Sequence, residues 1–106
     1  MVARLRDAGV LTIAAAGNED SDACGQPFAA VPEVLSVGNS TKKEKRNRSS
    51  NFGACIDLFA PGTNIQSTSV DNNQDFTTLS GTSQAAPHVT GAVSYTHLTL
   101  PTKRIV

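Results

Sequence analysis

One serine of this chain stands where a nucleophile could act. Ser83 follows Gly81 and Thr82 and precedes small apolar residues whose spacing predicts a helix over residues 82–93. In the first turn of a helix, a backbone N–H has no intrahelical acceptor and lies at the positive end of the helix dipole. That N–H could hold a reacting carbonyl oxygen, although Gly-Thr-Ser alone is more often a simple helix N-cap.

A serine nucleophile also needs a general base. His88 is the nearest histidine, but on a helix it would lie about 140° around the axis from Ser83 and more than one turn along. This geometry opposes His88 as the base. The other histidine, His97, lies in a segment that does not continue the helical pattern.

The elements that must position Ser83 are predicted from apolar runs and turn residues. Residues 10–16 form an apolar run interrupted only by Thr12, which is typical of a strand buried on both faces in a parallel sheet. Gly17 and Asn18 end this run as turn residues. The same criteria predict a helix over residues 2–8, strands over 34–38 and 56–60, and hairpin arms over 64–70 and 76–79 with a turn at 71–73.

Four short motifs occur together in this sequence. Residues 81–89 read Gly-Thr-Ser-Gln-Ala-Ala-Pro-His-Val, which resembles the nucleophile motif of the subtilisin family, peptidase S8, in its proteinase K-like branch. Ala-Ala-Gly-Asn at 15–18 resembles the oxyanion-hole segment of that family, and the motifs at 50–53 and 57–62 resemble two further family blocks in the same order. The resemblance implies an α/β, three-layer subtilisin-like fold with a mostly parallel sheet, present only in part.

The resemblance assigns a role to each matching residue. Ser83 would attack the scissile carbonyl, while the Asn18 side-chain amide and the Ser83 backbone N–H would hold the oxyanion. Ala15, Ala16 and Gly17 would line the pocket for the side chain that precedes the cut. The implied function is that of a serine endopeptidase, which hydrolyses protein or peptide substrates through an acyl-enzyme.

The catalytic Asp and His of the family precede the serine along the chain, and neither motif is found in this sequence. We therefore expect a fragment truncated at its front, which is inactive by itself. The alternative is a catalytically inactive homologue that acts as a binding or structural protein, although the intact Ser83 and Asn18 argue against it. A different serine hydrolase, such as an esterase, is disfavoured because no Gly-x-Ser-x-Gly elbow is present.

The end of the chain departs from the pattern before it. Residues 1–93 resemble the C-terminal part of the peptidase domain, but residues 94–106 alternate β-branched residues and reach Pro101. Both features disfavour a helix. We expect the helix to stop near Val93 and residues 94–106 to be a non-native or divergent tail.

Two cysteines, Cys24 and Cys55, could be free thiols, a bridged pair or part of a metal site. Zinc is disfavoured because neither lies in a C-x-x-C motif. Their surroundings resemble a disulfide pair in secreted family members, which implies a bridge and an extracellular, secreted protein. The glycosylation acceptor triplets that begin at Asn39 and Asn47 support secretion only weakly.

A structural calcium ion is also implied by the resemblance. The matching ligands are the backbone carbonyls of Pro32 and Val34 and the carboxylate of Asp57, and such hard oxygen ligands suit Ca²⁺. Asp57 could equally cap a loop. Gln84 stands where the family more often has Met, which should reduce oxidation beside the nucleophile without removing activity.

The overall charge favours no polyanionic partner. The chain has nine Lys and Arg residues and nine Asp and Glu residues, so its net charge is zero. We expect no nucleic-acid or membrane partner, and the basic run over residues 42–48 is interpreted as a solvated loop. No apolar stretch approaches the roughly 18 residues of a membrane span, and charged residues interrupt the N-terminus, so no signal peptide is expected there. We expect a monomer.

Overall fold

The computed structural model describes residues 2–70 and 75–105, with side chains to residue 96. The predicted turn at residues 71–73 lies outside the described residues. The elements are α1 (Val2–Asp7), β1 (Thr12–Ala15), a 3₁₀ turn (Ala23–Gly25), β2 (Val34–Ser40), β3 (Leu58–Pro61), β4 (Ile65–Thr68), β5 (Phe76–Leu79) and α2 (Thr82–Ile105).

The sheet that carries the site is parallel, as the uninterrupted apolar runs predicted. Strands β1, β2 and β3 lie side by side in that order. Ala15 pairs with Val37, and Val37 pairs in turn with Leu58. Strands β4 and β5 form a separate antiparallel hairpin. The partial α/β fold expected from the sequence is therefore confirmed.

Helix α2 packs on one face of the sheet. Its Ala85 and Val89 are buried against Val37 of β2 and Ala60 of β3. On the opposite face, Ala16, Ala23 and Ala29 form a second buried cluster beneath the 3₁₀ turn. The small side chains of α2 allow the helix to approach the sheet closely. Its first turn lies at the carboxyl end of β1, where Thr82 bonds to Gly17.

The Cys24–Cys55 disulfide implied by the resemblance is present. It joins the 3₁₀ turn to the segment that enters β3, and Cys55 packs against the second cluster. In the described part of the chain no cysteine is free. On the chain-entropy model, a bridge that closes this loop stabilises the fold by about 3.5 kcal/mol.

Strand β3 begins at Leu58, two residues later than the apolar run predicted. Asp57 explains the difference, because its Oδ2 accepts the Ser36 N–H at 2.7 Å. In a regular parallel ladder that N–H would bond a backbone carbonyl of the neighbouring strand. The side chain therefore replaces the first rung of the ladder, and only the Asp57 N–H to Ser36 carbonyl bond, 3.0 Å, remains.

The prediction that α2 ends near Val93 was wrong. The helix continues to Ile105 and includes Pro101. β-Branched residues cost less than about 1 kcal/mol each in a helix, and an internal proline costs about 3 kcal/mol, so both weaken a helix without excluding it. The proposed origin of residues 94–106 as a non-native or divergent tail stays a prediction. Among the described residues, no helix combines the length and apolar character that crossing a bilayer requires.

Candidate active site

Gly81 sets the direction from which α2 enters the site. Its φ of 156° is rarely adopted by residues with a side chain, and an added Cβ would lie 3.0 Å from Gln84 Oε1. The Gly81 N–H donates to the Gly62 carbonyl at 2.8 Å, and the Gly81 carbonyl accepts the Gln84 N–H at 3.1 Å. Gly81 therefore links the start of the helix to the segment that follows β3.

Ser83 is exposed in the first turn of α2, as the sequence predicted. Among the residues with described side chains, none hydrogen-bonds its Oγ. Its backbone N–H is one of the unpaired donors at the helix N-terminus, where the dipole favours negative charge. The hydroxyl and the N–H are thus both accessible to an incoming carbonyl group.

Asn18 is joined to the start of the same helix. The buried Thr82 donates its backbone N–H to Asn18 Oδ1 at 2.9 Å and accepts the Gly17 N–H on its Oγ1 at 3.1 Å. These two bonds tie the end of β1 to the first turn of α2. Asn18 Oδ1 accepts from Thr82, and Asn18 Nδ2 remains a donor next to the first turn of α2.

The three residues expected to line a substrate pocket lie along the same strand end. Ala15 is half-buried, and Ala16 is fully buried in the second cluster. The Ala16 carbonyl accepts a bond from Asn51 Nδ2 at 2.8 Å. Gly17 has a φ of 105°, so a side chain there would strain the backbone. Of these three residues, Ala15 and Gly17 are partly exposed and Ala16 is not.

His88 does not contact Ser83. Its Nδ1 is bonded to the Gln84 carbonyl at 2.9 Å, one turn back along the same helix. His88, Pro87 and Ser83 all face a depression of about 290 Å³ whose other wall is the β4–β5 hairpin. The described side chains therefore supply no base to Ser83.

Two of the proposed calcium ligands, Val34 and Asp57, lie at the amino ends of β2 and β3, and Pro32 precedes β2 by two residues. Asp57 is held there because its Oδ2 accepts the Ser36 N–H, which leaves Oδ1 as a ligand atom. The Val34 carbonyl points to the same side of β2 as that of Ser36, since alternate residues share a direction along a strand. Two carbonyls and one carboxylate form an oxygen donor set that fits Ca²⁺. No cluster of three His, Cys, Asp or Glu side chains occurs in the described part of the chain, so carbonyls must supply most of such a site.

The first glycosylation triplet is inaccessible in the folded protein. Asn39 is fully buried, and its Oδ1 accepts a hydrogen bond from Thr63 Oγ1 at 2.9 Å. In the second triplet, Asn47 Nδ2 donates to the same Thr63 hydroxyl at 2.9 Å. The side chains of Asn39 and Asn47 therefore help to join β2 to the segment after β3.

Two residues that support the site were missed by sequence reasoning. Thr82 was considered only as a helix cap, and Asn51 only as part of the motif at 50–53. Asn51 is fully buried and bonds to residues on both sides of Asn18. Its occurrence in a recognisable motif was a signal that it matters, but its partners lie about 30 residues earlier and could not be identified from local pattern.

The two bonds of Thr82 place the segment that follows β1 next to the first turn of α2, at the carboxyl end of a parallel strand. The family model described as the subtilase family, peptidase S8, matches residues 1–101. The chain therefore belongs to the subtilase family.

Individual relatives agree with this assignment. The chain is 46% identical over 89 residues to the subtilisin-like serine protease Pen ch 18 of Penicillium rubens, a match that covers 84% of this chain and 18% of the relative. It is 48% identical to subtilisin-like protease 3 of Saccharomyces cerevisiae, again over 84% of this chain and 19% of the relative. The chain thus spans about a fifth of the length of these curated relatives.

A solved structure supports the fold. The crystal structure of a cold adapted subtilisin-like serine proteinase superposes with a TM-score of 0.70 at 46% sequence identity. The match covers 80% of this chain and 31% of that chain. The predicted resemblance to subtilisin-like proteases is therefore confirmed.

Proposed function

We propose that the full-length protein containing this chain is a serine endopeptidase that cleaves protein or peptide substrates through an acyl-enzyme on Ser83. The observation that carries the proposal is the Thr82 bridge, which fixes the Asn18 amide and the first turn of α2 as neighbours. Serine-protease homologues at 46% and 48% identity support the same chemistry.

The proposed reaction begins with attack of Ser83 Oγ on the substrate carbonyl carbon. The carbonyl oxygen becomes negatively charged, and the Asn18 Nδ2 and the Ser83 N–H donate to it. The C–N bond then breaks, the amine leaves with a proton, and water hydrolyses the ester on Ser83. The general base and acid are assigned by the family resemblance to a His oriented by an Asp, which the full-length protein would supply.

Specificity is proposed to arise at the end of β1. Ala15 and Gly17 present little side chain, so the wall they form is open and apolar. The depression of about 290 Å³ on the other side of Ser83 would receive the part of the substrate that leaves first. Gln84 lies at this depression and carries no sulfur atom that could be oxidised.

A fluorophosphonate label on the full-length protein tests the nucleophile. We expect modification of Ser83, loss of labelling in Ser83→Ala, and normal labelling in Ser67→Ala, since Ser67 is an exposed serine of β4 that faces the same depression. Peptide mapping by mass spectrometry identifies the modified residue. Absence of labelling in the unsubstituted protein would instead favour the catalytically inactive homologue that binds without cleaving.

A bound Ca²⁺ is proposed to stabilise the amino ends of β2 and β3 through Pro32, Val34 and Asp57. A ligand that binds only the native state raises the unfolding temperature by mass action. We expect Ca²⁺ to raise the Tm in calorimetry, Mg²⁺ to raise it less, and Asp57→Asn to weaken the Ca²⁺ effect. The matched control is Asp7→Asn, because Asp7 lies far along the chain and pairs only with Arg6 among the described groups. Equal Tm gains in Asp57→Asn and in the unsubstituted protein would contradict this site.

We further propose that the protein is secreted and acts as a monomer. The Cys24–Cys55 bridge supports an oxidising compartment, where such bonds persist. The balanced net charge offers no general attraction to nucleic acid or to an anionic membrane. Detection of the active protein in culture medium after removal of cells, with a monomer mass by light scattering, tests both points.

A further inference from the structure

Asn51 is a fully buried residue whose side chain is completely hydrogen-bonded. Its Oδ1 accepts the backbone N–H groups of Glu19 and Ser21, each at 3.0 Å. Its Nδ2 donates to the Ala16 carbonyl at 2.8 Å and to Glu19 Oε1 at 3.2 Å. An asparagine amide offers two donors and two acceptor sites, and all four are used here.

The partners of Asn51 lie on both sides of Asn18. Ala16 precedes it, while Glu19 and Ser21 follow it, so the amide fastens both ends of the short segment that carries Asn18. The backbone adds a further bond, because the Asn51 N–H donates to the Gly17 carbonyl at 2.9 Å. A side chain at Gly17 would collide with Asn51 Nδ2, so the two residues fit only as this pair.

Glu19 connects Asn51 to Asn18 through hydrogen bonds of its carboxylate. One carboxylate oxygen, Oε1, accepts from Asn51 Nδ2, and the other, Oε2, accepts the Asn18 backbone N–H at 2.7 Å. Asn51, Glu19 and Asn18 therefore form a continuous chain of hydrogen bonds. At its other end, the Asn18 side chain is bonded to Thr82, so Asn18 is held from both the loop and the helix.

Arg46 fixes the loop in which Asn51 lies. It donates to the Ser50 carbonyl at 2.6 Å and to Asp20 Oδ1 at 3.0 Å. Its guanidinium also lies 5.0 Å from the centre of the Phe52 ring, within cation–π range. These contacts hold the residues on either side of Asn51 and join its loop to Asp20, in the segment after Asn18.

We propose that Asn51 is a positioning residue for the oxyanion donor Asn18. An oxyanion donor acts only when it is already aimed at the place where charge develops, and a displacement of about 1 Å can cost roughly a hundredfold in rate. Asn51 touches neither Ser83 nor the depression beside it, so it acts through the 16–21 segment. This inference rests on the proposed role of Asn18 in peptide-bond hydrolysis.

A double-mutant cycle in the full-length protein tests the inference. The variants are Asn18→Ala, Asn51→Ala and the combination, and the measured quantities are kcat and KM for a peptide substrate. We expect Asn51→Ala to lower kcat about tenfold to a hundredfold with little change in KM. The combined variant should be no slower than Asn18→Ala, because Asn51 has nothing to position once the Asn18 amide is gone.

Two further variants separate positioning from general stability. Glu19→Ala removes an exposed side chain, folds without a buried vacancy, and should lower kcat in the same non-additive way. Asn47→Ala is the matched control, since Asn47 lies in the same loop and also makes side-chain bonds, to Ser49 and Thr63, but none to residues 16–21. It should keep kcat at temperatures where the protein is folded.

The outcomes distinguish this inference from the proposed function. If Asn18→Ala lowers kcat but Asn51→Ala and Glu19→Ala do not, the positioning role is overturned and the oxyanion assignment stands. The positioning role is likewise overturned if the fold-loss of kcat in a combined variant equals the product of the losses in the two single variants. If Asn18→Ala itself keeps full activity, the oxyanion assignment fails, and the positioning role fails with it.

Discussion

Thr82 shows how one buried residue can join two functional segments. Its hydroxyl serves the end of β1, through the Gly17 N–H, while its backbone N–H serves the Asn18 side chain. A fully buried hydroxyl is costly unless it is hydrogen-bonded, and here that requirement is met by the segment that must be positioned. Stability and alignment of the site therefore depend on the same atom.

Replacement of Thr82 by Val separates the hydroxyl from the shape of the side chain. Thr82→Val leaves the half-buried Gly17 N–H without its acceptor, so we expect a loss of about 1 kcal/mol in the free energy of unfolding. We also expect kcat to fall, because Asn18 is adjacent to the freed group. Thr82→Ser retains the oxygen and serves as the control. Urea unfolding of the full-length protein measures the first effect, and a Val variant as stable as the Ser variant would contradict it.

The candidate site residues that could be predicted from sequence are those that lie in contiguous motifs. Ser83 and Asn18 were singled out because each lies in a recognisable motif, at 81–89 and 15–18, and Thr82 joins these two segments. Asn51 was not singled out, since its side chain makes four hydrogen bonds to three residues, Ala16, Glu19 and Ser21, that lie about 30 positions earlier. A hydrogen-bond network between distant segments leaves no periodic pattern in the sequence.

At the scale of the elements, two strands of the parallel sheet lie where the apolar pattern predicted them. Strands β1 and β2 were predicted because their runs do not alternate, and the hairpin because turn residues separate its arms. Boundaries failed where side chains compete with the backbone, as Asp57 does at the start of β3. The end of α2 failed for another reason: β-branched residues and a proline weaken a helix without excluding it, and α2 continues past Val93.

The Cys24–Cys55 disulfide links two elements covalently, and we expect it to contribute strongly to the stability of the fold. It holds the 3₁₀ turn and the entry to β3 together beneath the site segment. We expect Cys24→Ser with Cys55→Ser to lower the free energy of unfolding by about 3.5 kcal/mol on the chain-entropy model. Guanidinium unfolding of the full-length protein measures the change.

Reduction offers a second test of the bridge. The unsubstituted protein should gain the mass of two hydrogen atoms on reduction under denaturing conditions, while the double Ser variant should not change. Single variants keep one thiol and serve as controls for the loss of the bridge without loss of both sulfur atoms. An unfolding midpoint that is the same with and without the bridge would show that it contributes no stability.

At the scale of the whole molecule, much apolar surface of this chain is open to solvent. Phe59 on β3 is 42% exposed, and Phe76 on β5 is 65% exposed. Between β3 and α2 lies an apolar groove of about 870 Å³ that includes Leu35, Ala92 and Val93. Exposed patches of this kind are uncommon on monomeric soluble proteins.

This surface leads to a prediction about the isolated 106-residue chain. A short chain buries a smaller share of its apolar surface than a domain of several hundred residues, so its native state is correspondingly less stable. We expect the isolated chain to bind the dye ANS and to unfold at a lower denaturant concentration than the full-length protein. The oxidised Cys24–Cys55 form should be used in both cases. A sharp unfolding transition at the same midpoint, without ANS binding, would show that the described elements form a self-sufficient core despite their exposed face.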